Sequence, residues 1–308
     1  MIKYYYRSVK DQAVVKLTRP KPGCWIKVSN FNLKDLDTLV KLGFSRPILE
    51  DALDPYEVPR FEYENKINYL FSRYPLTDSA TTATSATAVI LIAISDNYIL
   101  TVTNGSPQFI KRFLESASVV TTQRVKFLLM ILDRVLSDYD HSLKKIRKTL
   151  GRHLSTTGQV SEEDLINLVK IEAVLADYVS HSIPAQEAFS TMLIRKKTLT
   201  LHQDDAEMLE DFMQDTAQII ASAKNSAKTA TNIRALHEVI LSQRLNKIMK
   251  TLTALTIVLT IPTIMSGIFG MNTWLPLTHG PIQFLMVLAL TLLLSLMATF
   301  WLVKNRWF

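Results

Sequence analysis

The stretch TIMSGIFGMNTWLPL, Thr263 to Leu277, decides how the chain is read. It closes a long apolar run with two glycines, a methionine and an asparagine, then opens into a loop without a charge. Behind it, no charged residue occurs from Leu252 to Met271. Ahead of it, none occurs from Ile282 to Val303. Each run is about twenty residues, the length at which a helix crosses roughly 30 Å of hydrocarbon. Two buried helices of a soluble core are the other way to hold such runs, and a soluble core rarely contains charge-free stretches this long.

The flanks orient the two spans. Lys247 and Lys250 precede the first, and Lys304 and Arg306 follow the second. The connecting loop, NTWLPLTHGP, has neither Lys nor Arg. The positive-inside rule then puts both termini in the cytosol and the loop outside, with the chain in the cytoplasmic (inner) membrane. Trp301, Trp307 and Phe308 fall near the inner interface and Trp274 near the outer one.

Composition agrees with a soluble part joined to a small membrane part. Of 308 residues, 48% are hydrophobic and 20% charged. The net charge of +7 is met by lysines in loops and beside the spans. No RNP-like, zinc-finger or helix-turn-helix pattern accompanies it, so no nucleic-acid partner is expected. Cys24 is the single cysteine, which excludes an intramolecular disulfide and a thiolate cluster within one chain. Beside Trp25 in PGCWIKV it is expected in a buried strand. The start, MIKYYYRSVKDQ, lacks the apolar core of a signal peptide.

Residues 1–200 are predicted to form a cytosolic α+β domain, an α/β sandwich. Strands are expected at IKYYYRS, AVVKLT, CWIKVS, INYLFSRY, TAVILIAIS and YILTVT, which are rich in aromatic and β-branched residues. NLKDLDTLVKLGF has helical spacing, and TDSATTATSATA is expected as an exposed connection. From about Pro107 the pattern turns helical. Ser161 to Asp164, SEED, has the form of a capping box, and Pro184 is expected to kink the helix that follows or end it early.

Between Gln203 and Pro262 there is neither proline nor glycine. A single helix from about 203 to 271 would be on the order of 100 Å long at 1.5 Å per residue. A rod of that length needs copies of itself to bury its faces, which points to a homo-oligomer. The stalk is assigned to 201–250, the first span to 251–271, the outer loop to 272–281, the second span to 282–303 and a basic tail to 304–308.

Steps of three and four along the first span join Asn246, Met249, Thr253, Thr256, Thr260, Thr263, Gly267 and Gly270 in one polar and small-residue stripe. Helix packing is one use for it, since Ser266 and Gly270 form a small-x-x-x-small pair. A water-filled path is the other. One chain has only two spans, too few to enclose a path, so a ring of first spans with second spans outside meets both demands. Backbone that stops being helical near Asn272 needs protein or water around it at membrane depth. A ring of Asn amide oxygens suits a hydrated divalent cation, because Mg²⁺ prefers oxygen and sheds water reluctantly.

Gly270-Met271-Asn272, at the outer end of the first of two C-terminal spans, resembles the signature of the CorA family of magnesium transporters. The approach IPTIMSGIFGMN, the ending KNRWF, and upstream CWIKV and EDALDPYEVPRFE are also similar to family patterns, so the resemblance covers nearly the whole chain. It implies a funnel-shaped homopentamer conducting Mg²⁺, with Co²⁺ or Ni²⁺ as surrogates, and no cofactor beyond the transported and regulatory ion. Carried over by position, Asn272 is the outer ring that captures the hydrated ion and Thr263 is a polar ring inside the pore. Met249 belongs to the hydrophobic gate and Asn246 forms an amide ring at the cytosolic end. Asp211, among Asp204, Asp205, Glu207 and Glu210, falls where the family binds a regulatory cation between protomers; a solvated helix face is the plainer account of the same group. Two departures stand out. The loop after the signature has no acidic residue, only His279, and Thr260 occupies a gate position that is often Met or Leu.

A zinc-transporting branch of the superfamily shares signature and topology, although the chain has no His cluster for a dedicated zinc site. A membrane-tethered oligomeric sensor without transport is the reading from another class. Nothing marks an enzyme: there is no P-loop, no His-Glu-x-x-His and no nucleophile elbow, and His237-Glu238 lacks a second histidine at i+4.

Overall fold

The computed structural model describes residues 1–76, 86–105, 107, 109, 110, 113, 119–155, 161–271, 281–305 and 307. They form two compact units, Met1–Arg234 and Ala235–Phe308.

The first unit is built on seven strands: β1 Ile2–Tyr6, β2 Val15–Leu17, β3 Cys24–Ser29, β4 Arg60–Glu64, β5 Ile67–Pro75, β6 Thr87–Ile94 and β7 Tyr98–Thr103. Their order is β2-β1-β3-β7-β6-β5-β4. Only β3 and β7 run parallel, with Trp25 opposite Ile99; every other pair is antiparallel. The strand period of two sorts side chains onto two faces. Trp25, Leu70, Ile90, Ile92 and Ile99 join one core. Cys24, Ile26, Tyr69, Phe71, Leu91 and Leu100 join the other. Both faces are covered, which is why β5 is buried along its whole length. Fully burying a side chain such as Phe71 contributes about 1.5–3 kcal/mol. Cys24 is buried as expected, and the Trp25 indole N–H donates to the Thr101 hydroxyl at 2.9 Å.

Two short helices cover one face: α1 Leu33–Lys41, capped by the Asn32 side chain, and α2 Arg46–Asp51 with a proline in its first turn. Long helices cover the other: α3 Arg124–Ser155 and α4 Glu162–Ile194, followed by the single turn α5 Lys196–Leu199 and the start of α6 Gln203–Phe269. Ser161 and Asp164 form the expected capping box. Pro184 does not end α4, which continues to Ile194. Buried Tyr178 and Ser182 before it, and Ala188, Phe189 and Met192 after it, hold both halves against the core and offset the lost backbone bond. Of the tract TDSATTATSATA, residues 77–85 lie outside the described residues, and Thr87 and Ala88 belong to β6.

A polar latch ties the sheet to α4. The Arg73 guanidinium, 2% exposed, donates to the Thr87 hydroxyl and to the carbonyls of Pro55, Glu57 and Thr87. Asp177 on α4 accepts from the Ala86 N–H at 3.1 Å and the Thr87 hydroxyl at 2.9 Å, and it pairs with His181 at 3.0 Å. Burial pushes the Asp177 carboxyl up, but its bonds from His181 and Thr87 and the nearby charges of His181 and Arg73 outweigh that and hold it below the ordinary range.

The second unit contains the rest of α6 and α7 Pro281–Lys304. α6 runs unbroken for 67 residues, through Pro262. Both helices are long and apolar enough to cross a membrane, and only 6% of each apolar window is buried, unlike a helix of a soluble core.

Candidate functional site

The partly covered residues of the first span fall on one line. Ala254 is fully buried and Val258, Ile261, Met265 and Phe269 are half-buried, while their neighbours are exposed. On α7 the corresponding line is Val287, Thr291, Ser295, Ala298 and Leu302. α6 and α7 are the only described helices in this unit, so each supplies the other's cover. We take these lines as the seam between the spans. Small residues at Ala254, Ser295 and Ala298 let the two backbones approach.

The stripe lies on the opposite side. An α-helix turns about 100° per residue. Thr256, Thr260, Thr263 and Gly267 each follow a seam residue by two positions, Ala254, Val258, Ile261 and Met265 respectively, and so point about 200° away from it. Within one chain the stripe is uncovered: Asn246, Met249, Thr253, Thr256, Thr260, Thr263, Gly267 and Gly270 are all exposed. The Ser266–Gly270 pair is off the seam as well, so it does not serve packing between the two spans of one chain.

The hydroxyls on this face share one orientation. Thr253 donates to the Met249 carbonyl at 2.9 Å, Thr256 to Leu252 at 2.9 Å, Thr260 to Thr256 at 2.7 Å and Thr263 to Leu259 at 3.1 Å. Each hydrogen is committed to the helix backbone, a common habit of helical threonine. What remains toward the outside is oxygen lone pairs. The face therefore accepts hydrogen bonds, which matches the outward-pointing hydrogens of a cation's hydration water.

At the outer end, the Gly270 N–H closes the last turn onto the Ser266 carbonyl at 2.9 Å. A Cβ at Gly270 would stand 2.9 Å from that same oxygen, whereas at Gly267 it would meet open space. Gly270 is thus needed by the backbone, and Gly267 widens the stripe. Met271 is exposed just beyond the helix. Asn272 and the rest of the loop, 272–280, lie outside the described residues.

The acidic group at the start of α6 has partly local explanations. Asp205 accepts from the His202 N–H and Glu207 from the Gln203 side chain, and Asp204 and Asp205 sit in the first turn where negative charge opposes the helix dipole. Asp211 is exposed. Among the described residues, no three His, Cys, Asp or Glu side chains of one chain stand close enough to hold a metal. The stripe residues share one face of a single helix; Asp211, near the start of α6, joins no ligand set among the described residues.

The seam went unrecognised in the sequence, although Ala254, Val258, Ile261, Met265 and Phe269 do recur at helical spacing. Its signal is weak because apolar residues occur on every side of a membrane helix.

A family model described as CorA-like Mg2+ transporter protein matches residues 21–304. The cobalt/magnesium transport protein CorA of Methanocaldococcus jannaschii is 26% identical over 278 residues, covering 87% of this chain and 85% of that one. Its namesake from Thermotoga maritima is 19% identical over 317 residues, covering 98% and 88%. The complete structure of the CorA magnesium transporter from M. jannaschii has the same fold, with a TM-score of 0.83, 23% identity and coverage of 100% of this chain and 99% of that one.

Proposed function

The chain belongs to the CorA family of Mg²⁺ transporter proteins, and on that premise we propose that it forms a homopentameric channel for divalent cations, Mg²⁺ above all and Co²⁺ or Ni²⁺ as surrogates. The observation that carries this reading is the position of the threonine stripe, turned away from the seam. In a bilayer a face of four hydroxyls gains little from lipid, and its own second span does not cover it. Copies of α6 arranged around an axis would enclose it.

In that ring the roles follow the order along the helix. Asn272 rings present amide oxygens to the hydrated ion at the outer mouth. Thr263, Thr260, Thr256 and Thr253 offer successive acceptors to its water. Met249 is the one large apolar side chain on the stripe between Thr253 and Asn246, so it is where the path dewets and closes. With Thr260 polar, the barrier is concentrated at Met249. Residues 1–250 and the tail 304–308 lie in the cytosol and 272–281 outside, as the lysine and arginine flanks support. Asp211 carboxylates from neighbouring copies repel one another until internal Mg²⁺ binds between them, so that loss of the ion releases the closed ring.

Purified protein in proteoliposomes, offered Mg²⁺, Co²⁺ and Zn²⁺ side by side, tests the reading. Uptake of Mg²⁺ that competes with Co²⁺ is expected. Absence of uptake of any divalent ion, by protein whose fold is intact, would leave only the tethered-sensor alternative.

A further inference from the structure

From Val239 to Phe308 the chain holds no Asp or Glu and five Lys or Arg, five minus zero, a net of +5. The five are Arg244, Lys247, Lys250, Lys304 and Arg306, and none lies between 251 and 303. Glu238 is the only Asp or Glu of the second unit. It precedes Lys247 by nine residues, about 14 Å along the helix and about 180° round it. Lys247 and Lys250 therefore have no acidic neighbour in their own unit.

Charge beside a span serves to orient it, and orientation asks only that the charge be on one side. The direction of these two lysines is a further feature. They precede Ala254 by seven and four residues, so at 100° per residue they point about 20° and 40° from its direction. Ala254 is the fully buried residue at this end of the seam. Lys247 and Lys250 thus continue the seam line of α6 and turn away from the stripe. On α7 the seam ends at buried Leu302. The helix itself ends at Lys304, where the Trp307 N–H closes on the Leu302 carbonyl at 3.0 Å. α6 has no such stop, and both of its lysines are exposed. Beside them, at the end of α7, Trp301 and Val303 are exposed as well. The result is a step with two ammonium groups on α6 and an apolar, tryptophan-bearing end of α7.

We propose that this step binds an anionic phospholipid of the cytosolic leaflet, its phosphate held by Lys247 and Lys250 and its upper acyl chain against Trp301 and Val303. The inference rests on the orientation of the spans given above and not on conduction. Each ammonium has three donors, and phosphate oxygens are acceptors for them. Tryptophan suits the level of the headgroups. A zwitterionic lipid also brings a phosphate, but its own cation would stand among the two lysines, so the step selects lipids of net negative charge. Lys304 follows Leu302 by two residues and points about 200° from the seam of α7, outside the step.

Full-length protein in a non-ionic detergent is offered equal amounts of phosphatidylglycerol and phosphatidylcholine, and native mass spectrometry counts the lipids retained per chain. One lysine near an anionic headgroup is worth about fivefold, so the two give wild type a preference for phosphatidylglycerol of about 25-fold. Lys247→Gln and Lys250→Gln should each lower it about fivefold, and Lys250→Arg should keep it. Lys304→Gln removes the same charge from the same end and should change it by less than about twofold. No preference in wild type overturns the proposal. An equal loss in Lys304→Gln and Lys250→Gln assigns the preference to net charge and overturns it too. An unchanged preference in Lys247→Gln and Lys250→Gln means that these lysines meet protein carboxylates or water instead. Displacement of the lipid by an equal concentration of glycerol phosphate would assign the step to a soluble phosphate. Ion uptake has no part in the readout, so each of these failures leaves the channel reading standing, and a protein without uptake leaves the lipid site standing.

Discussion

Thr251 and Thr253 make a matched pair on α6. They are two residues apart, at nearly the same depth, and both donate to the carbonyl four residues back, at 3.0 and 2.9 Å. They point about 200° apart, Thr253 along the stripe and Thr251 toward the seam side. Replacing either by valine keeps the shape and removes the same local hydrogen bond, so the cost to the helix is equal. The cost to transport is not. An acceptor for hydration water contributes about 0.5–1.5 kcal/mol net. The proposed ring of five would lose five acceptors at once, about 2.5 kcal/mol even at the low end, and about 1.4 kcal/mol is a factor of ten in rate. Thr253→Val should therefore lower Mg²⁺ flux into proteoliposomes by roughly 60-fold, and Thr251→Val should leave it within about twofold. Oligomer mass and helix content, measured on the same preparations, should match wild type in both. If Thr251→Val loses as much flux as Thr253→Val, or neither loses any, the assignment of faces is wrong.

Asn272→Ala should abolish uptake while the melting of the first unit stays that of wild type; retained uptake removes Asn272 from the capture role. Asp211→Ala should move the Mg²⁺ midpoint at which the stalk becomes protected from protease; the same midpoint in both proteins makes Asp211 a solvated helix-face residue. Asp177→Asn should destabilise the first unit by about 1.5–3 kcal/mol at neutral pH, because it weakens bonds to a charged acceptor. The carboxyl is held below its ordinary value in the fold, so its contribution is complete above the unfolded-state value of about 3.9 and fades as pH falls through the lower folded one. Wild type should consequently lose its advantage over the Asn variant below about pH 4, and thermal melts with a constant difference between the two down to pH 3 would refute that.

The parts of the fold that were legible share a physical cause. β6, TAVILIAI, is buried on both faces and reads as a nearly continuous apolar run, whereas β3, β5 and β7 include buried Lys27, Asn68, Ser72, Arg73, Thr101 and Thr103 and were legible through their aromatic and β-branched residues. The start of α4 was legible because a capping box is a local bond pattern, and α6 because nothing in 203–261 interrupts a helix. β4, with the sequence RFEYE, was missed. Being an edge strand, it keeps Arg60, Glu62 and Glu64 at the surface, and its pattern is that of a charged turn. α2 was missed because six residues cannot hold a helix by propensity; Ile48 and Leu49 are held by the core beneath them.

The site divides along the same line. Period alone puts Asn246 through Gly270 on one face, because period is a property of one helix. What that face looks at depends on a second helix, and no pattern within residues 252–271 says where the second helix lies. Once Ala254 and Val258 are seen to be covered, the remaining choice for the threonines is lipid or other copies. Four hydroxyls whose hydrogens are turned to their own helix backbone support the reading proposed above, copies around an axis. Lipid has no donor to give them, whereas the water shell of a divalent ion is made of donors. Elsewhere on the span the exposed positions include Leu252, Leu255, Ile257, Leu259, Ile264 and Ile268, side chains suited to lipid.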